Sequence, residues 1–141
     1  MRAGEVQMYD TIVCGVSRAE SGRYAAHVAH ELARTFGATL HLVMAFKGSS
    51  EPTKVAGTDE PPGRREAEQF LAQLCGAADD PPRTHALPGD PAAAILQVAR
   101  ECNADLIVVG NKGMRTRRVL GSVPNTVTHQ AECAVHIVNT T

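Results

Sequence analysis

Short, almost unbroken apolar runs rich in β-branched residues alternate along this chain with stretches of helical periodicity, and that alternation narrows the possible folds more than any other feature. The runs are Thr11–Val16, Thr39–Phe46, Asp105–Val109 with its core Leu106-Ile107-Val108-Val109, and Ala134–Val138. A strand wetted on one face is polar at every second position, so a run that is apolar nearly throughout must be covered on both faces. Between the first two runs Ala25, Val28, Ala29, Leu32 and Phe36 recur at helical spacing, with Arg23, His27, His30 and Arg34 on the other face. The second run begins 28 residues after the first, which leaves room for a helical crossover. The expectation is an α/β fold: one open parallel sheet with helices on both faces.

Local signals set the boundaries. Residues 1–8 read as a loose terminus. Ser17 to Ser21 is a polar turn, with Ser21 as a helix cap and Gly37 as the stop. Residues 47–63, KGSSEPTKVAGTDEPPG, lack periodicity and read as a mobile surface loop, one that could fold over a ligand. A second helix carries Ala67, Phe70, Leu71, Leu74 and Ala78 and is stopped by Asp79-Asp80-Pro81-Pro82. A short strand at Thr84–Leu87 leads to Asp90 as cap and Pro91 at the first position of a third helix, which turns Ala94, Ile95, Val98 and Cys102 inward. Ser122 is expected to cap a fourth helix, with Pro124 in its first turn and Val123, Val127 and Ala131 inward. With 141 residues, no internal repeat and no composition break, the chain forms one domain.

Composition excludes several classes of function. A formal net charge of −1 gives no global attraction to nucleic acid or to an anionic membrane. No apolar run approaches the roughly 18 residues that span a bilayer, and the start lacks the apolar core of a signal peptide, so a cytoplasmic protein is expected. Cys14, Cys75, Cys102 and Cys133 are scattered without C-x-x-C spacing and read as buried free thiols. His27 and His30 share a helix face but have no third ligand nearby in sequence, and no metal is assigned. His41, His85, His129 and His136 lie in separate segments with no triad-like signature.

The basic character is local. Lys112, Arg115, Arg117 and Arg118 crowd into the stretch VGNKGMRTRRVLGSV, which follows the Leu106–Val109 run and ends at Gly121-Ser122, before the fourth helix. Unpaired N–H groups at a helix start and in a glycine turn of positive φ form a cradle for phosphate oxygens. A plain connecting loop with solvated basic residues is the alternative. The spacing matches neither G-x-G-x-x-G nor G-x-x-x-x-G-K-[ST].

At these residues the chain resembles the universal stress protein (UspA-like) family, whose nucleotide-binding branch carries Gly, two residues, Gly, nine residues, then Gly and Ser or Thr. Gly110, Gly113, Gly121 and Ser122 match, although only seven residues separate Gly113 from Gly121. The likeness runs from about Tyr9 to Thr141, most specifically in DLIVVGNKG, LGSVPNTV and GDPAAAILQVA. It implies a five-stranded sheet of order 3-2-1-4-5, Rossmann-like and of the adenine-nucleotide-binding type. The ligand crevice then lies between strands one and four, beyond their carboxyl ends.

The ligand implied by the resemblance is an adenine nucleotide, most simply ATP, with or without Mg. Its base would lie against strands one and two near Gly15, Val16 and the backbone of Leu40, its ribose near Val109 and Gly110, and its phosphates on Gly113, Gly121, Ser122 and Val123. Arg115, Arg117 and Arg118 are the cationic candidates, and Lys112 a weaker one. Where nucleotide-binding members carry an Asp after the first strand this chain has Ser17, which brings no charge for ribose or metal. Cyclic AMP is therefore an alternative ligand, and a dimeric stress-response module that binds no nucleotide is another. Family members pair the last strand with its mate, which implies a homodimer through residues 134–138. No Walker lysine, Ser/His/Asp signature or acid–base carboxylate pair stands at the phosphate end, so slow ATP hydrolysis is the most that is expected of it as an enzyme.

Overall fold

The computed structural model describes residues 8–47, 63–112 and 120–140. The strands are β1 (Thr11–Gly15), β2 (Thr39–Phe46), β3 (Arg83–Pro88), β4 (Leu106–Lys112) and β5 (Ala134–Thr140). They alternate with helices α1 (Glu20–Phe36), α2 (Arg64–Cys75), α3 (Pro91–Glu101) and α4 (Ser122–Gln130). The strands form one parallel sheet in the order β3-β2-β1-β4-β5. Because β1 and β4 are neighbours that belong to opposite halves of the chain, the order reverses between them. Asp105 secures that junction: one carboxylate oxygen accepts the N–H groups of Asp10 at 2.8 Å and Thr11 at 3.0 Å.

Side-chain alternation along each strand divides the core in two. Ile12, Cys14, Leu42, Met44 and Val108 pack with Ala25, Ala29, Phe70 and Leu71 of α1 and α2. Val13, Val43, Ile107 and Val109 pack with Ile95, Leu96 and Val98 of α3 and Val127 of α4. This double coverage is what the unbroken apolar runs require.

Several boundaries differ from the sequence expectation. Ala19, not Ser21, is the cap residue of α1, and Ser21 lies in its first turn. α2 stops at Cys75 because Gly76 takes a φ of 59°, so Ala78 is not on its stripe. Gly121 occupies the cap of α4 and Ser122 its first helical position, with no side-chain cap bond. β5 runs two residues past Val138, to Thr140.

The largest difference concerns β4, which continues through Gly110 and Asn111 to Lys112 rather than ending at Val109. Gly110 is therefore a strand residue, and neither it nor Gly121 has positive φ. The need for glycine at 110 is steric: a Cβ there would lie 2.3 Å from the carbonyl oxygen of Ser21 and 2.7 Å from its carbon. Most of the predicted loop at 47–63 lies outside the described residues. No helix among the described residues is long and apolar enough to cross a membrane.

Candidate functional site

A cavity of about 700 Å³ opens where the strand order reverses. Its floor is the carboxyl ends of three strands: Gly15 with Val16 and Ser17 just beyond β1, Val43 to Ala45 in β2, and Val109 to Lys112 in β4. Its walls are the amino ends of three helices, with Ser21 and Gly22 from α1, Pro91 and Ile95 from α3, and Gly121 to Pro124 from α4. Parallel strands and right-handed crossovers bring these ends together, so the positive poles of the helix dipoles converge on one space.

The walls differ in how their N–H groups are met. At α3 the Asp90 carboxylate accepts the Ala93 N–H at 3.0 Å, which closes that helix end with a side chain as the sequence predicts. At α1 and α4 the cap residues, Ala19 and Gly121, make no side-chain cap bond, and the Gly121 N–H is held instead by Asn111 Oδ1 at 2.9 Å. Ser17 is pressed onto α1, since a Cβ on Gly22 would lie 2.2 Å from its Oγ. Arg18 and Lys112 bring positive charge to the lining, and no carboxylate is among the described lining residues. Arg18 pairs at 3.8 Å with Glu66 of α2, both about half exposed, a geometry with little net energy in water.

Of the residues singled out from sequence, Gly15, Val16, Ser17, Val109, Gly110, Gly121, Ser122 and Val123 line this cavity. Gly113, Arg115, Arg117 and Arg118 lie outside the described residues. Leu40 is displaced from the expected place. It is the second residue of β2, pairs with Ile12 and is buried in the core beneath α1 and α2. At about 3.3 Å per residue it is about 10 Å short of the part of the strand that reaches the cavity, and Val43 to Ala45 line the floor instead.

Sequence reasoning missed Asn111. It is 3% exposed. Its Oδ1 accepts the Gly121 N–H at 2.9 Å, and its Nδ2 donates to Oδ1 of Asn139 on β5 at 3.0 Å. An amide directly after an apolar run was the available signal, hidden by ending the strand at Val109. Arg18 was passed over as part of a polar turn.

Away from the cavity the sheet gathers two histidines that sequence left apart. His41 Nδ1 and His85 Nε2 are 2.9 Å apart, with the rings stacked at 5.1 Å. Burial holds both imidazoles below the usual histidine range; for His41 the facing His85 and then Arg83 add to this, whereas Glu101 opposes it at His85.

The universal stress protein family model matches residues 8–139. The chain belongs to the universal stress protein family. A universal stress protein of Mycobacterium tuberculosis is 32% identical over 148 residues, covering 94% of this chain and 98% of its own. One from Thermus aquaticus is 34% identical over 137 residues, covering 93% of this chain and 99% of its own. Among solved structures, a universal stress protein in complex with cyclic AMP is 27% identical, with a TM-score of 0.71, 95% of this chain covered and 99% of the other. Universal stress proteins thus share this chain's order of strands and helices over nearly its full length.

Proposed function

We propose that this universal stress protein is a cytoplasmic, regulatory adenine-nucleotide-binding protein of the stress response, with ATP the simplest ligand. The observation that carries the proposal is the cavity at the strand-order reversal, walled by three helix amino ends and free of carboxylates among its described lining. A volume of about 700 Å³ suits a nucleotide. Positive dipole ends together with Arg18 and Lys112 favour an anion there. The base rests against the backbone of Val43 to Ala45, the ribose lies near Val109 and Gly110, and the phosphates meet Gly121, Ser122 and Val123. Where ATP carries magnesium, the described lining gives that ion no carboxylate, so it would be held by the phosphates and water, with the hydroxyls of Ser17, Ser21 and Ser122 as the lining's own oxygen side chains. The same lack of a carboxylate base keeps any ATP hydrolysis slow.

Cyclic AMP is the second reading, favoured by the uncharged Ser17 and by the relative in complex with that ligand. Isothermal titration of the purified protein with ATP, AMP, cyclic AMP and adenosine tests both. Binding of at least one nucleotide in the micromolar range, at least about tenfold tighter than adenosine, is expected from one charge-assisted contact. A cyclic AMP affinity above that of ATP selects the second reading. Equal binding of adenosine and the nucleotides overturns the anion site, and binding of none leaves a module that acts through protein contacts.

We further propose a homodimer through the free side of β5, where Ala134 and His136 are exposed on an edge strand. His136→Asp places like charges close to the two-fold and is expected to shift the protein toward monomer in light scattering; an unchanged mass refutes that interface.

A further inference from the structure

Asn111 occupies an unusual position: it is the only buried side-chain amide among the described residues, and it joins the cavity to the edge of the sheet. Its orientation is fixed by chemistry. The Gly121 N–H can only donate, so the atom facing it at 2.9 Å is the amide oxygen. The amide NH₂ then faces β5, where Asn139 Oδ1 accepts it at 3.0 Å. The two asparagines are register partners, and Thr140 Oγ1 adds a bond to the Asn111 carbonyl at 3.4 Å.

We infer that Asn139, an exposed residue outside the cavity, positions the anion-binding end of α4 through Asn111. Resting on the adenine-nucleotide reading, the inference makes β5 a regulator of the ligand site. Gly121 is the cap residue of α4, and its N–H is held by Asn111 rather than turned to the cavity. That bond fixes the aim of the next donors, the N–H groups of Ser122 and Val123. Removing the Asn139 acceptor takes away a bond that holds the amide NH₂ toward β5, which weakens the hold on that orientation and lets Asn111 rotate. Rotation releases Gly121, and the first turn of α4 loses its fixed geometry. Anything that shifts β5 along β4 reaches the ligand by the same path.

The test compares wild type, Asn139→Ala and Asn139→Asp by titration with the tightest-binding adenine nucleotide, alongside hydrogen exchange at the Gly121 amide. Asn139→Ala is expected to bind about three- to tenfold more weakly, the worth of one hydrogen bond, and to lose Gly121 protection. Asn139→Asp keeps the acceptor and is expected to restore both at high salt, where the added charge is screened. A merely structural role would lower thermal stability in both variants without that rescue. Unchanged affinity and unchanged Gly121 exchange in Asn139→Ala overturn the inference. If wild type binds no adenine nucleotide, the functional reading falls, and Gly121 exchange still decides whether the relay exists.

Discussion

At the scale of single residues, two glycines with similar crowding differ in what surrounds them. A Cβ on Gly110 meets the backbone of Ser21 at 2.3 Å, which cannot yield without moving α1 off β4. A Cβ on Gly15 also comes to 2.3 Å, but of Ile95 Cδ1, the far end of a side chain that borders the cavity and has room to turn. Gly110→Ala is therefore expected to lose about 1–3 kcal/mol or more in urea unfolding, and Gly15→Ala clearly less. The opposite ranking would mean that α1 sits loosely on the sheet. The histidine pair gives a second prediction. Folded His41 and His85 resist protonation, so below an ordinary histidine pKa of about 6.5 the unfolded chain binds more protons. Their contribution is complete above that pH and is lost as pH falls from 6.5 through the lower folded values. Urea unfolding between about pH 7.5 and 5 should show that slope, and His41→Phe with His85→Phe should flatten it.

At the scale of elements, apolar runs and helical stripes were legible because double coverage and amphipathicity are written in every turn of the chain. Ends were less so. Asp90-Pro91 was readable, because a carboxylate reaching an N–H three residues on is a local event; Asp90→Ala is expected to cost about 1 kcal/mol in thermal or urea unfolding. Gly76 was passed over in favour of Asp79-Asp80-Pro81-Pro82, although its positive φ ends α2 first. Gly110 was legible as a needed glycine and misassigned in cause: its neighbour is Ser21, 89 positions earlier, which no local pattern reveals. The cavity-lining part of β2 was missed because a uniform apolar run does not say where along it a cavity begins.

At the scale of the whole molecule, family likeness carried the strand order, and the order carried the location of the cavity; local periodicity alone gives neither. If β5 pairs with a second copy and Asn139 positions α4, ligand and dimer are thermodynamically linked. Saturating nucleotide should then change the dimer dissociation constant by the square of the factor by which dimerisation changes nucleotide affinity per site, measurable by sedimentation with and without ligand. The bond from Asp105 to the Thr11 N–H spans 94 positions, and the cavity wall draws on both ends of that span. A nascent chain leaving the ribosome amino end first thus has no partial site: β1 waits for β4, and the α4 wall emerges later still. Such distant pairing slows folding, and on the proposed function a nucleotide would reward only the finished molecule, acting as a seal on completed chains and not as a template for growing ones.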